Sequence, residues 1–284
     1  MGGFSGINAV DSVTYARKAG FDCAFSGFKD DRYIGEIADA IDRAGMTYDT
    51  VHAPFKHIND IWKPGDDGEE MLKTLTDCLD SCAHYGVPVM IVHLSSKENA
   101  PCVNDVGHER FDRLVNHAGE VGVSIAFENQ RKLANIAFAF EQYGKLPQVG
   151  FCWDTGHEAC FTPGREYMPL FGKKLIALHI QDNMCEYDRD LHLIPFDGMI
   201  NFYHVGEHLK LVEADGTPDS DAGDAFPGSK DITKYTFTDV DGKPVYGFDY
   251  VEELGNATGD ARFVLSNSGY KPAVPASLKA ENIL

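Results

Sequence analysis

Basic residues are in short supply in this chain. Its 284 residues carry 25 lysines and arginines against 44 aspartates and glutamates, a formal net charge of −19. A surface that tracks phosphates needs basic patches, so this balance argues against nucleic acid or an anionic membrane as a partner. It reads instead as a solubilising acidic surface, on which a local basic pocket can still stand. Long apolar runs are missing too: stretches such as "VPVMIV" (87–92) are far too short to cross a bilayer. The opening "MGGFSGINAVDSV" has neither the basic segment nor the apolar core of a secretory leader, so none is expected. Cysteines number seven, an odd count, and they are scattered. Cys78 and Cys82 share a helix-like run but have no second pair elsewhere. No zinc-ribbon or disulfide framework emerges, and the expectation is reduced thiols in the cytoplasm.

What is present is a recurring joint. "ARKAGFDCAF", "DRAGMTYDTV", "AHYGVPVMIV" and "GEVGVSIAF" each end a helix-like segment on Gly and then start a β-rich apolar run; "FEQYGKLPQVGFCW" does so with a longer link. Gly in that place fits the left-handed residue that closes a helix. Helices are expected over 32–44, 69–85 and 108–121. In the second, Met71, Leu72, Leu75, Leu79 and Cys82 recur at three- and four-residue steps, the apolar face of a helix. Strands are expected near 4–8, 21–26, 48–53, 87–94, 123–129, 149–155 and 174–181. They are almost continuously apolar, as strands covered on both faces are. Strands alternating with helices imply a parallel sheet, at the pace of a (β/α)8 barrel. A doubly wound open sheet is the alternative, disfavoured because no Gly-rich phosphate loop follows the first strand.

The last residues of these runs carry the chemistry. In order they deliver His52, His93, Glu128 with Asn129, Asp154 with His157, and His179 with Asp182. In a parallel barrel all those ends meet on one face, where active sites of such folds lie. Mixed Glu, Asp and His donors suit a divalent ion such as Mn²⁺, Mg²⁺, Co²⁺ or Zn²⁺. Without a cation, clustered carboxylates repel one another and are costly to desolvate.

From about residue 4 to 210 the chain resembles the xylose-isomerase-like barrel superfamily. The matching residues are "VHAPF" (51–55), "IVHLSS" (91–96), "FEN" (127–129), "WDTGH" (153–157), "LHIQD" (178–182) and "DLHLIPFDGMINF" (190–202). The superfamily holds sugar isomerases, ketose 3-epimerases, lyases and endonuclease IV. The resemblance implies an α/β fold, a (β/α)8 TIM barrel over 1–211, followed by an atypical C-terminal segment over 212–284. It implies a divalent cofactor, with Mn²⁺ first, held by Glu128, Asp154 and His179. It makes Glu128 the acid/base and gives His157 a catalytic role at the substrate oxygens. His52, His93, Asn129 and Arg189 are implied substrate contacts. In the endonuclease branch, His52, His93, His157, Asp190 and His192 would be further zinc ligands.

The implied function is proton abstraction from a sugar or sugar phosphate through a metal-stabilised enediolate, giving isomerisation or epimerisation. Alternatives from the same parts are a carbon–oxygen lyase, an endonuclease-IV-like hydrolase, or a non-catalytic carbohydrate-binding or partner subunit. The expected partner is a small carbohydrate, with no nucleic acid and no membrane; self-association into a homo-oligomer is left open. The resemblance also calls for a closing strand ending on a second glutamate, and none stands in that place. His192 is the first candidate to fill the gap as a fourth metal ligand, before Asp182 and Asp221. The stretch 212–231 reads as a loop, 234–248 as a hairpin about a D-G turn, and "RFVLS" (262–266) as the closing strand, with 213–250 an insertion or lid outside the barrel.

Overall fold

The computed structural model describes residues 7–213 and 235–238. Its first element is the helix α1 (Ala9–Lys18), whose N-cap Asn8 accepts a hydrogen bond from the Asp11 amide at 2.9 Å. Strand and helix then alternate: β1 (Cys23–Gly27), α2 (Asp31–Arg43), β2 (Thr47–His52), α3 (Asp66–His84), β3 (Val89–His93), α4 (Asp105–Val121), β4 (Ser124–Glu128), α5 (Leu133–Tyr143), β5 (Val149–Asp154), α6 (Thr155–Phe161), α7 (Met168–Phe171) and β6 (Leu175–His179). A last helix, α8 (Phe202–His208), precedes a small antiparallel pair, β7 (Lys210–Glu213) with β8 (Tyr235–Thr238).

The six strands form one curled sheet in chain order, and every neighbouring pair is parallel. The expected strands from 21–26 to 174–181 are all present. The expected strand at 4–8 falls mostly on residues outside those described, and Ile7 and Asn8 simply lead into α1. The helical expectations also hold, each starting one to three residues earlier than the sequence pattern suggests. Asp30 and Asn104 explain two of those earlier starts, because each caps its helix by accepting a backbone N–H. The joint glycines behave as read where the turn is tight: Gly86 and Gly122 have φ of 71° and 75°. Gly144, in the longer link, stays right-handed at −61°.

Strand residues alternate between two environments. Met90, Val92, Ile125, Phe127, Phe151 and Trp153 pack into the main core shared with the helices. Val89, Ile91, Ala126, Cys152 and Ala177 form a second cluster on the other face, within the curl. The period of two carries that inner face on to His93, Glu128, Asp154 and His179 at the carboxyl ends. The site residues therefore sit directly on top of the inner cluster.

Two buried anchors shape the mouth of the sheet. Arg110 on α4 donates to the carbonyls of Ile61, Lys63 and Gly65, fixing the loop after β2. Asp182, just past β6, accepts four backbone N–H groups, from Asn183, Phe196, Gly198 and Ile200. Its own backbone exchanges two hydrogen bonds with Leu193, at 2.7 and 3.0 Å.

All seven cysteines are free. No helix among the described residues is long and apolar enough to cross a membrane. β7 runs across the expected boundary at 211/212 and pairs with β8. The loop at 214–231, the second arm of the expected hairpin, Asp221 and "RFVLS" lie outside the described residues.

Candidate metal and substrate site

Glu128 is the centre of the site, with 1% of its surface exposed. Its Oε1 lies 2.7 Å from His179 Nδ1 and 3.4 Å from His157 Nδ1. Its Oε2 lies 2.5 Å from His93 Nε2 and 3.3 Å from His52 Nε2. Asp154 Oδ2 stands 3.7 Å from both His157 Nδ1 and His179 Nδ1. The strand ends thus bring together Glu128, Asp154, His179, His157, His93 and His52, as the sequence suggested.

Several local devices hold this arrangement. Asp154 ends β5 and also caps α6, its Oδ1 accepting the His157 amide at 2.6 Å. The i to i+3 step of that cap is what turns the His157 ring back over the site. Asn129 does not reach the cavity; its side chain exchanges two hydrogen bonds with the Asp154 backbone, at 2.9 and 2.7 Å, and so aligns β4 with β5. The Gln130 amide stands 3.1 Å from His93 Nε2 and 3.0 Å from His157 Nδ1. The Gln181 amide donates to both Asp154 oxygens, at 3.2 and 3.1 Å. Neither glutamine was singled out in the sequence. The available signal was spacing, since each lies two residues beyond a site residue and so faces the same way.

The electrostatics follow from burial opposed by neighbours. Burial pushes the Glu128 carboxyl up, but the imidazoles of His179, His93 and His157 together outweigh it and hold it well below the usual carboxylate range. Burial dominates at Asp154, which is pushed up to about 6 with help from Glu128 and Asp190. At His93 desolvation also prevails, and its pKa falls to about 4. At His157 burial opposes the charge, yet Asp154, Glu128 and Asp190 raise it to about 9. His179 is likewise held well above its ordinary value against burial, by Cys152 and Glu128.

A further branch reaches the rim. Asp190 Oδ2 lies 3.2 Å from His157 Nε2 and 3.0 Å from His192 Nε2. His192 therefore stands one residue removed from the Glu128 cluster, beside Asp190. The group His157, Asp190, His192 is compact enough to hold a cation, as are His52, His93, Glu128 and Glu128, Asp154, His157. Asp182 is an anchor of the backbone and does not face the cluster. Arg189 is exposed and paired with Glu186, outside the cavity lining. The arginine of the cavity is Arg131, which pairs with Asp188 and stacks on Phe161 with its guanidinium 3.5 Å from the ring centre.

The cavity over these residues has a volume of about 390 Å³. Phe25, Phe55 and Phe161 supply its apolar walls, Phe55 stacked on His93 at 4.5 Å. This is the size and make-up of a small-molecule site. The residues fit a divalent ion on their own chemistry: a hard carboxylate pair with imidazoles converging on it from separate strands.

Comparison with known proteins agrees with the fold. The sequence model of the xylose isomerase-like TIM barrel matches residues 13–217. Among solved structures, a putative xylose isomerase from Rhodospirillum rubrum aligns with a TM-score of 0.58 at 17% identity, over 70% of this chain and 80% of the other. D-psicose 3-epimerase from Clostridium cellulolyticum aligns with a TM-score of 0.56 at 18% identity, over 71% and 74% of the two chains. A probable endonuclease 4 from Nitrosopumilus maritimus is 27% identical over 170 residues, 50% of this chain. The match spans 60% of that relative's length.

Proposed function

The chain belongs to the xylose isomerase-like TIM barrel family, and from that premise we propose that it isomerises or epimerises a small sugar or sugar phosphate with the help of a divalent ion. Glu128, Asp154 and His179 would hold the ion. The observation that carries this reading is the buried Glu128 carboxylate, ringed by four imidazoles and flanked by Asp154 at the carboxyl ends of parallel strands. Mn²⁺ is the first choice of ion, and Mg²⁺, Co²⁺ and Zn²⁺ suit the same donors.

When bound, the ion polarises a carbonyl and its neighbouring hydroxyl and makes the adjacent C–H more acidic. The rest falls to the protein. Glu128 takes the proton from that carbon, leaving an enediolate. Returning the proton to the opposite face gives the epimer, and returning it to the neighbouring carbon gives the isomer. His157, held through Nδ1 by Asn129's carbonyl, would turn its Nε2–H from Asp190 to a substrate oxygen that displaces that carboxylate, as negative charge grows there. Gln130 and Gln181 hold His93, His157 and Asp154 in place.

The deciding experiment is exchange of the sugar's C–H with solvent deuterium, followed by NMR, on metal-loaded protein with a panel of ketoses and their phosphates. Exchange that needs both the ion and Glu128 supports the reading, and its absence across the panel rejects it.

A second reading is favoured by one observation. His52 with His93 and Glu128, and His157 with Asp190 and His192, are two further groups able to hold cations around the same centre. A site of several ions suits hydrolysis of a phosphodiester, and the endonuclease 4 relative points the same way. Metal stoichiometry separates the readings: one ion per chain supports the isomerase, while two or three with nicking of abasic DNA supports the hydrolase.

A further inference from the structure

Two lysines at the mouth of the cavity are not used by the machinery described so far. Lys56 lies in the loop after β2 and Lys97 in the loop after β3, and both line the cavity. Among the described residues neither forms an ion pair, whereas the third cation of the lining, Arg131, is engaged by Asp188. In a chain with 44 acidic residues against 25 basic ones, two uncommitted cations facing one cavity run against the overall balance.

Their placement is held. The Asn59 side chain exchanges two hydrogen bonds with the Ser96 backbone, each 2.8 Å, so the loop carrying Lys56 is tied to the loop carrying Lys97. The Trp62 indole N–H adds a third tie, to the Leu94 carbonyl at 2.6 Å. Lys97 itself has a φ of 62°. That left-handed conformation is unfavourable for a side chain of this kind, and it persists only where surroundings enforce it, most often at binding sites.

The cavity is therefore polarised. Its floor carries the carboxylates of Glu128 and Asp154, and its mouth carries the two lysines together with Asp190, which is taken up by His157 and His192. At the floor the carboxylates are already partnered by imidazoles, so the uncommitted cations that an anionic group meets are at the mouth. We infer that the substrate is an anionic sugar derivative, whose phosphate or carboxylate end is held by Lys56 and Lys97 while its reacting carbons lie against Glu128. The placement of the reacting end rests on the isomerase or epimerase reading; the capture of the anion does not.

Calorimetric titration of metal-loaded protein tests this, with fructose, fructose 6-phosphate, glucuronate and inorganic phosphate as probes. The proteins are the wild type, Lys56→Gln, Lys97→Gln, the double variant, and Lys97→Arg as the conservative control. Fructose 6-phosphate should bind at least roughly tenfold more tightly than fructose, and each glutamine should remove about tenfold of its affinity, as loss of a charge-assisted contact does. Lys97→Arg should retain most of it, and added salt should weaken the anion but not fructose. Preference for glucuronate over fructose 6-phosphate makes the anion a carboxylate, and the reverse makes it a phosphate; either supports the inference. Equal affinity for fructose and both anions, or anion affinity unchanged in the folded double variant, overturns it. Lysine-dependent anion binding without any C–H exchange would reject the isomerase reading and leave the anion site standing. Exchange on fructose and its phosphate with equal kcat/KM, insensitive to both lysines, would do the opposite.

Discussion

Glu128 and His179 stand on strands that do not touch, with β5 between them, yet Oε1 and Nδ1 meet at 2.7 Å. Register and curl bring them together. Glu128 lies opposite Cys152, and His179 lies opposite Asp154, one inward-facing position further along. Asp154 thus sits beside the pair, its Oδ2 3.7 Å from His179 Nδ1.

An ion entering there should bind to the folded chain and not to the unfolded one. At about one hundred times its dissociation constant such a ligand adds roughly 2.7 kcal/mol. For a domain of this size that is a rise in Tm of about 5–10 °C. Differential scanning calorimetry of chelator-treated protein, before and after Mn²⁺ is added in excess to that level, measures it. An unchanged Tm together with no metal in elemental analysis would rule the site out.

Glu128→Gln keeps the volume of the side chain but removes the proton acceptor. Turnover should fall by about 10²–10⁴-fold. The same change removes the charge that helps hold His179 in its protonated form, so the His179 pKa should fall in the metal-free variant. Solvent-exchange kinetics and imidazole NMR report the two effects separately. Wild-type C–H exchange in the variant would reassign the acid/base.

Metal uptake should be strongly pH-dependent. In the metal-free protein His179 is held protonated above its ordinary value, chiefly by Cys152 and Glu128 acting against burial. An imidazole must be neutral to bind a cation, so uptake displaces a proton. The sign is fixed: affinity rises with pH until His179 is neutral and levels off above that point. Titration calorimetry in two buffers of different ionisation enthalpy counts the protons released. Zero release at pH 7 would contradict the protonated state.

Asp182→Ala removes the acceptor for four backbone N–H groups at once. Hydrogen bonds to a charged group contribute about 1.5–3 kcal/mol each net of water, and bonds sharing one carboxylate are not additive, so a loss of at least about 3 kcal/mol is expected. Thermal unfolding should drop by about 6–12 °C. Asp182→Asn, which keeps one carbonyl oxygen, should lose less. If both variants melted like the wild type, the anchoring role would be wrong.

Much of this was legible in the sequence, for physical reasons. Strands buried on both faces must be continuously apolar, so β3 and β5 were visible as runs, and a polar residue closing such a run had to be accounted for. That is why Glu128, Asp154 and His179 could be picked out. Loop geometry was not legible. Arg189 is the basic residue nearest the expected place in sequence, but Glu186, three residues earlier, draws it to the surface. Lys56, Lys97 and Arg131 reach the cavity because of ties such as Asn59 to Ser96, which join residues 37 apart and leave no local pattern. Asp182 looked like a spare ligand because its backbone partners lie as far on as Ile200.

The Asp182 anchor also bears on how such a barrel can be altered. Its two bonds with Leu193 close the segment 183–192 at its base, while its carboxylate fixes the chain beyond, out to Ile200. The segment is in effect a cassette, closed at its base on Leu193 and carrying Asp188, Arg189, Asp190 and His192 on its arc, where Asp188 and Asp190 reach back to Arg131 and His157. Lengthening a closed loop adds little entropic cost, since the penalty grows only with the logarithm of its length. Exchange of 184–192 would therefore reshape the rim of the cavity while Glu128, Asp154 and His179 stay seated on their strands. A library built there would vary the rim over an unchanged floor of strand-end residues.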